Sequence, residues 1–338
     1  MKTETVAATL PRRNQTAAKE RAVELLRKGE VVALPTETVY GLAADALNPV
    51  AVAKIFEAKE RPRFDPLIVH LSDEASLEQV AKIDNRSRAQ IEKLVTQFWP
   101  GPLTLVLDRQ PIVPEIVTAG LDTVAVRMSA HPVFAEIISA FGKPLAAPSA
   151  NRFGRISPTT AQHVLDELGG RIPLIIDAGP TAHGIESTIV AVHGNKIDIL
   201  RRGPITAEQL AQFGKIDIVS AGQKISAPGQ LPSHYSPKTP LRLIDNAESL
   251  ALAANYRVGL LAWNASIPEE GFAAVRTLSE RQDLREAAAN VFRCLRELDE
   301  LDLDLIVAER VPARGLGAAI LDRLERASHD SDIQHTPE

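Results

Sequence analysis

Residues 31–41 read VVALPTETVYG, a short apolar run followed at once by a loop rich in hydroxyl groups. The run Val31–Leu34 predicts a buried β-strand, and residues 17–28 before it carry apolar side chains at helical spacing up to Gly29, a helix-ending glycine. A helix therefore leads into a buried strand. The loop 35–41 then occupies the position where α/β proteins commonly bind ligands, although taken alone it is more typical of a capped turn.

The same alternation of helical and extended patterns continues to residue 200 and predicts an α/β sheet. Further strands are expected at residues 67–70, 103–107, 124–127, 145–147, 174–177, 188–192 and 197–200. Helices are expected at residues 50–59, 76–80, 87–98, 132–141 and 160–168. The last two strands are expected to pair as a hairpin, which makes the sheet mixed.

A change of composition between residues 220 and 240 divides the chain. Regular structure is blocked there by four prolines, Pro228, Pro232, Pro237 and Pro240. We therefore predict an α/β domain over 1–215, a linker that acts as a lid over 216–240, and a small Rossmann-like α/β domain over 241–338. The last domain is expected to contain strands at 241–244, 257–262 and 303–308 and helices at 247–254, 283–298 and 318–327.

Composition excludes several classes of protein. The 338 residues carry a net charge of −5, which argues against a surface that clamps nucleic acid throughout. A single cysteine, Cys294, excludes an internal disulfide and a zinc site built from cysteine pairs, and it suits a reducing compartment. The sequence also lacks an apolar run of about 18 residues, so we expect a cytoplasmic protein. Because the motifs GxxxxGK[ST], GxGxxG, HExxH and GxSxG do not occur, any ATP site must be unconventional.

Charged side chains cluster on the loop after the second predicted helix. Lys59, Arg61 and Arg63 lie there, around Pro62 and Pro66. Cations are common near the C-terminus of a helix, because they complement the helix dipole. The two prolines, however, hold these cations on a stiff loop, an arrangement that is suited to orienting an anion.

Polar groups also follow other predicted strands, and each of them has two explanations. His70 ends an apolar strand and is more typical of a satisfied core histidine than of a ligand. The segment 148–151, PSAN, offers hydrogen-bond donors to a phosphate or forms an Asx turn. Ser157, which precedes Pro158, has the usual arrangement of a helix N-cap, and an anion at that helix terminus would use the same geometry.

Two further groups of polar residues lie late in the chain. The segment 186–188, EST, precedes one strand and Arg201 closes the next, so hydroxyl groups and cations could meet at one sheet edge. In the linker, His234 and Tyr235 are unusual for a spacer and suit a lid over a bound ligand.

Taken in chain order, these segments resemble the signature blocks of the YrdC-like threonylcarbamoyl-AMP synthase family. The blocks are PTETVYG at 35–41, KERP at 59–62, SAN at 149–151, EST at 186–188 and RRG at 201–203. The segments HYSPKTP at 234–240 and RGLGAAI at 314–320 resemble the longer, two-domain members. The resemblance implies a YrdC-like twisted mixed sheet with a catalytic concavity, followed by a linker and a small α/β domain.

The resemblance also implies an activity. Such enzymes combine L-threonine, bicarbonate and ATP into L-threonylcarbamoyladenylate and pyrophosphate. A separate transferase complex then passes the threonylcarbamoyl group to the tRNA adenosine beside the anticodon. Mg²⁺ is expected because pyrophosphate leaves, and it should be carried by the phosphates, since no carboxylate pair has metal-ligand spacing. Whether the chain itself contacts tRNA is left open.

Residue roles follow from the resemblance, motif by motif. The residues implied for L-threonine are Thr38, His70, Arg127, Ala147 and Ser187. Those implied for ATP are Arg61, Asp65, Thr123, Ser149, Asn151, Ser157, Arg201 and Tyr235. Lys59 and Arg61 are expected to act in catalysis by neutralising phosphate charge. One position departs from the family, which usually has Asn where Asp65 stands, and a carboxylate beside a triphosphate repels it unless cations or Mg²⁺ compensate.

Three other functions compete with the synthase. RNA binding without catalysis is disfavoured by the net charge of −5 and by the lack of aromatic residues between basic ones. Carbamoyl transfer in metal-centre maturation occurs in larger enzymes with cysteine-pair zinc modules, which one cysteine cannot build. A regulator that has lost ATP use would explain Asp65, but the remaining motifs are intact.

Overall fold

The computed structural model describes residues 2–8, 12–219, 228, 234–245, 256–264 and 271–333. The chain forms two compact units. The amino-terminal unit comprises Met1–Phe153, Pro158–Ala182 and Glu186–Leu231, and the carboxy-terminal unit comprises Gly154–Ser157, His183–Ile185 and Pro232–Glu338. The carboxy-terminal unit thus includes two short loops from the middle of the chain. The boundaries at 215 and 240 and the lid over 216–240 stay predictions, and much of that segment lies outside the described residues.

A mixed sheet forms the amino-terminal unit, which confirms the predicted fold class. Its strands are β1 Glu4–Ala7, β2 Val32–Leu34, β3 Gly41–Asp45, β4 Ile68–His70, β5 Ala81–Lys82, β6 Leu103–Arg109, β7 Thr123–Arg127, β8 Leu145–Ala146, β9 Leu174–Asp177, β10 Thr188–His193, β11 Lys196–Arg201 and β12 Lys215–Ile218. Their order in the sheet is β1-β9-β2-β3-β8-β4-β7-β6-β10-β11-β12, and β5 pairs with β6. The expected hairpin is present, since β10 and β11 pair antiparallel.

Six helices of this unit lie close to the predicted positions. The helices are α1 Arg12–Arg27, α2 Pro49–Lys59, α3 Leu77–Val80 after a 3₁₀ turn at Glu74–Ser76, α4 Arg88–Phe98, α5 Glu115–Thr118, α6 Pro132–Phe141, α7 Ala161–Leu168 and α8 Ala207–Leu210. The sequence did not predict α5 and α8. The expected N-cap at Ser157 is wrong. Thr160 caps α7 instead, because its side chain accepts a hydrogen bond from His163 N.

Alternation along the central strands separates a core face from a face that carries polar groups. Val69, Leu105 and Val126 belong to the large hydrophobic core. Their neighbours on the other face, among them Ile68 and Ala125, form a small apolar cluster. This second face also bears the polar residues of the strand ends, so we call it the polar face of the sheet.

The carboxy-terminal unit has a parallel sheet, as a Rossmann-like domain requires. Its strands are β13 Leu241–Ile244, β14 Val258–Ala262, β15 Ala274–Thr277 and β16 Leu305–Glu309, in the order β13-β16-β14-β15. Its helices are α9 Leu284–Asp299 and α10 Leu316–Ile333. The sequence did not predict β15, and the helix expected at 247–254 lies outside the described residues. Cys294 is buried on α9. Over the described part of the chain, no helix is long and apolar enough to cross a membrane.

Candidate functional site

The loop 35–41 is both a capped turn and a contributor of polar groups. The Thr36 hydroxyl accepts hydrogen bonds from Thr38 N at 3.1 Å and Val39 N at 3.2 Å, which closes the turn. The turn places the Thr38 hydroxyl against Arg127, whose guanidinium donates to it at 3.0 Å. The two explanations of this loop are therefore compatible.

Arg127 lies at the centre of a buried polar cluster at the end of β7. Its guanidinium donates to the Gly101 carbonyl at 3.2 Å and to the Glu37 carboxylate at 2.6 Å. The other oxygen of Glu37 accepts a hydrogen bond from the Ser129 hydroxyl at 2.5 Å. Burial alone would raise the pKa of Glu37, but the positive charge of Arg127 and the hydrogen bond from Ser129 outweigh it and lower the pKa to about 2. Glu37 is therefore ionised at neutral pH.

His70 is directly beside Arg127 in the sheet register, on the neighbouring strand β4. Its side chain is 2% exposed and packs against the Phe134 ring, with 5.0 Å between ring centroids. Neither ring nitrogen makes a well-directed hydrogen bond within the described ranges, and only weak main-chain interactions with Ile68 and Leu145 reach the ring, so a ligand that completes its hydrogen bonds stays a prediction. Burial, reinforced by the charge of Arg127, lowers the pKa of His70 to about 3. The ring is neutral, and an unsatisfied buried group of this kind suits a ligand contact.

Lys59 supports the segment 149–151. Its ammonium group donates to the Ser149 carbonyl at 2.5 Å and to the Asn151 carbonyl. In return, the Lys59 carbonyl accepts a hydrogen bond from Phe153 N at 2.8 Å. Burial, together with the charge of Arg61, holds the pKa of Lys59 well below its usual range. An anion bound nearby would raise that pKa again.

Asp65 is a buried carboxylate among cations. Arg61 donates to the Asp65 carbonyl at 3.1 Å and to the Pro66 carbonyl at 2.8 Å, and its guanidinium lies 2.8 Å from one carboxylate oxygen of Asp65. The side chain is 1% exposed, and neither carboxylate oxygen accepts a well-directed hydrogen bond among the described residues. Burial raises the pKa of Asp65, although Arg61, Lys59 and Arg201 oppose the shift. Three basic side chains therefore act on this position, which suits the binding of an anion.

Ser187 connects the two clusters. Its hydroxyl accepts a hydrogen bond from Arg201 at 3.0 Å and lies 2.8 Å from the Thr104 hydroxyl. Arg201 also donates to the Ser187 carbonyl at 3.1 Å. Gly203 is required beside this contact, because a Cβ atom there would lie 2.5 Å from the Glu186 carbonyl oxygen.

Sheet register explains why these side chains meet. Arg127 pairs with His70 on one side and with Thr104 on the other, so the three residues form one row across β4, β7 and β6. Ala147 lies close by, since its N–H donates to the Ile68 carbonyl at 3.0 Å. Sequence reasoning missed Glu37, Thr104 and Ser129. Glu37 was visible inside the PTETVYG block, whereas the other two follow only from the register.

Three residues of the predicted ATP set remain, and they are Thr123, Ser157 and Tyr235. Thr123 is on the same face of β7 as Arg127, four residues or about 13 Å along the strand. An ATP contact at Thr123 therefore requires a nucleotide extended along the strand. Ser157 and Tyr235 belong to the carboxy-terminal unit. The roles of all three stay predictions.

Replacing His70 with Gln should change how stability depends on pH. The imidazole has an ordinary pKa of 6.5, which applies to the unfolded chain, whereas folded His70 has a pKa of about 3. Below pH 6.5 the unfolded chain therefore binds the extra proton, and acid destabilises the fold. Between pH 7.5 and 5 the parent should lose about 2 kcal/mol more free energy of unfolding than His70→Gln. Urea denaturation at both pH values checks this, and equal losses would contradict the buried, neutral imidazole.

Comparisons with known proteins identify the family of the chain. The chain matches the Sua5–YciO–YrdC family described as "Telomere recombination" over residues 24–203, and the "Threonylcarbamoyl-AMP synthase, C-terminal domain" over residues 205–329. The threonylcarbamoyl-AMP synthase of Bacillus subtilis is 41% identical over 321 residues, which cover 91% of this chain and 92% of the relative. That of Pyrococcus abyssi is 39% identical over 324 residues, which cover 91% and 93%.

A solved structure extends the agreement to three dimensions. The crystal structure of Pyrococcus abyssi Sua5 complexed with L-threonine has a TM-score of 0.86 and 36% identity, and the match covers 97% of this chain and 98% of that one. The motif resemblance and the two-domain form are thereby confirmed. The chain belongs to the threonylcarbamoyl-AMP synthase family.

Proposed function

We propose that this chain converts L-threonine, bicarbonate and ATP into L-threonylcarbamoyladenylate and pyrophosphate. Family membership supports the proposal. The observation that carries it is the pair of linked clusters on the polar face. One cluster contains the buried ion pair of Arg127 and Glu37, and in the other the basic side chains of Arg61, Lys59 and Arg201 act on Asp65. Ser187 joins them through Arg201 and Thr104.

We assign L-threonine to the cluster around Arg127. Three of the guanidinium N–H groups serve Gly101, Thr38 and Glu37, so two donors are left for a carboxylate. His70, being neutral, does not repel the ammonium group of an amino acid and has ring nitrogens to offer to a polar ligand atom.

We assign the phosphates of ATP to Arg61, Arg201 and the segment 149–151. The two guanidinium groups supply charge, and the segment is held in place by Lys59. On the strength of the motifs alone, Thr123, Ser157 and Tyr235 complete the proposed set, and Asp65 is placed beside the nucleotide as a residue whose carboxylate opposes its binding. The apolar side chains between Arg127 and Thr123 give an extended nucleotide a continuous floor.

The reaction then depends more on positioning the two substrates than on proton transfer by a side chain. The free amine of threonine and bicarbonate give a carbamate and water. An oxygen of the carbamate attacks the α-phosphorus, and the bond to the β-phosphate oxygen breaks as pyrophosphate leaves. Because the attacking oxygen is already an anion, a general base is unnecessary in this step. Arg61, Arg201 and Lys59 lower its barrier by neutralising charge on the phosphates.

Mg²⁺ is proposed only as an ion that accompanies the phosphates. No three His, Cys, Asp or Glu side chains among the described residues come together as a metal site. Asp65 lies beside Arg61 and has a raised pKa, so it is poorly suited to hold a cation. We therefore derive no step through a protein-bound metal.

The product determines what must follow. A carbamoyl-adenylate is hydrolysed readily, so it needs prompt transfer to an acceptor. We propose that a separate transferase complex uses it to modify the tRNA adenosine beside the anticodon, and that this occurs in the cytoplasm, where the one cysteine would remain a thiol.

Threonine-dependent release of pyrophosphate tests the proposal. The purified protein is incubated with ATP, L-threonine, bicarbonate and Mg²⁺, and release is measured with and without threonine. Arg61→Ala should lower kcat/KM for ATP at least a hundredfold, because it removes charge-assisted contacts worth about 3 kcal/mol. Arg63→Ala is the matched control, since Arg63 is on the same loop but exposed. No threonine-dependent release by folded parent protein would reject the proposal.

Replacing Asp65 with Asn tests the charge balance of the anion cluster. The substitution keeps the shape and removes the negative charge beside Arg61. We expect KM for ATP to fall about fivefold, the equivalent of about 1 kcal/mol of relieved repulsion, while KM for threonine is unchanged. Glu60→Gln, an exposed acid in the same motif, is the control. A raised KM for ATP in the Asn variant would instead show that the carboxylate assists nucleotide binding.

A further inference from the structure

One face of α9 contacts three other segments of the carboxy-terminal unit. These are the loops 154–157 and 183–185 and the linker residues 235–239. The residues that make these contacts follow one another at helical spacing, and they are Ala288, Phe292, Arg296 and Asp299. Ala288 is the stripe residue nearest the N-terminus of α9. Gly184 approaches it so closely that a Cβ atom added to Gly184 would lie 2.4 Å from the Ala288 carbonyl oxygen. We call these four residues the α9 stripe.

Arg296 holds the loop that carries Ser157. The guanidinium, which is buried, donates a hydrogen bond to the Ile156 carbonyl. The same loop is tied to the linker, because Ser236 N donates to the Gly154 carbonyl at 2.8 Å and Arg155 forms a bridge with Ser236. The position of the Ser157 backbone therefore depends on a side chain of α9.

Tyr235 is held in a strained conformation by two other side chains. Its φ angle is 68°, in the left-handed region that non-glycine residues rarely adopt. The ring is 1% exposed and stacks on Phe292, with 5.5 Å between centroids. On the same ring, the guanidinium of Arg323 lies 5.1 Å from the centroid. Strain of this kind persists only where packing compensates for it.

The remaining contacts anchor the linker on either side of Tyr235. The carboxylate of Asp299 accepts hydrogen bonds from Lys238 N at 3.0 Å and Thr239 N at 2.7 Å. Before the tyrosine, His234 N donates to the Arg326 carbonyl at 3.3 Å. The linker is therefore held at several points between residues 234 and 239.

We propose that the α9 stripe and Arg323 are positioning residues for ATP, because they fix the Ser157 loop and the Tyr235 ring. This inference rests on the proposed function, in which Ser157 and Tyr235 bind the nucleotide. Arg323 is fully buried, at 0% exposure, and its guanidinium also pairs with the Asp322 carboxylate at 2.5 Å, so its position is fixed from two sides. A guanidinium group can direct a main-chain carbonyl or an aromatic ring as an apolar side chain cannot.

Calorimetric titration with two ligands tests the inference. The full-length protein is titrated with α,β-methylene-ATP, which cannot release pyrophosphate, and separately with L-threonine. Arg296→Met and Arg323→Met should each raise the Kd of the nucleotide about tenfold, the effect of one lost hydrogen bond to a charged group or one lost cation–ring contact. The Kd of threonine should stay within twofold of the parent. Arg296→Lys, which keeps one donor for the Ile156 carbonyl, should recover part of the loss.

Arg293→Met is the matched control. Arg293 lies on α9 three residues before Arg296 but pairs with Glu297 at the surface, so both affinities should be retained. If the two buried-arginine variants do not fold, Asp299→Asn replaces them, because its weakened hold on Lys238 and Thr239 should still raise the nucleotide Kd. Unchanged nucleotide affinity in a folded variant would overturn the inference, and so would equal weakening of both ligands. Pyrophosphate release by the parent, measured alongside, distinguishes these results from a failure of the proposed function.

Discussion

The buried ion pair between Arg127 and Glu37 is the interaction on which the candidate site depends. Glu37 enters with the loop 35–41 and Arg127 with β7, so the pair fixes a loop against the centre of the sheet. Moving the loop would break this pair and leave an uncompensated buried charge. The free-energy cost of that charge restricts the loop to one position. The chain beyond the loop then pairs with the segment around Ser149, through the Gly41–Ser149 bridge. Placement of the loop therefore also places the segment that Lys59 supports.

The two clusters differ in charge in a way that suits different ligands. Around Arg127 the charges balance, as expected for a site that takes an amino acid carrying both a carboxylate and an amine. Around Asp65 three basic side chains act on one buried carboxylate, as expected for a site that takes a polyanion. Ser187 joins the clusters, and under the proposed function the carbamate end of one ligand therefore binds beside the α-phosphate of the other.

Most strands and helices could be predicted from the sequence, because apolar periodicity is strong where the core is large. The strands that were not predicted are β1, β3, β5, β12 and β15. Among them, β3 has no β-branched residue in GLAAD and is a strand only because β2 and β8 pair with it. The same limit applies to the site. Arg127 and His70 were found by motif, whereas Thr104 and Ser129 depend on register and turn geometry. The side-chain contacts of α9 could not be foreseen, because its pattern is that of an ordinary amphipathic helix.

The central claim, that Arg127 is organised to receive the carboxylate of threonine, has one direct test. L-threonine and L-threoninamide, which differ only in that group, are titrated into the unmodified protein in the same calorimetric experiment. The arrangement of Arg127, Glu37 and Thr38 predicts that threonine binds at least tenfold more tightly, because charge-assisted hydrogen bonds are lost with the amide. Equal affinities of threonine and threoninamide would contradict this claim and would mean that the carboxylate does not bind to Arg127.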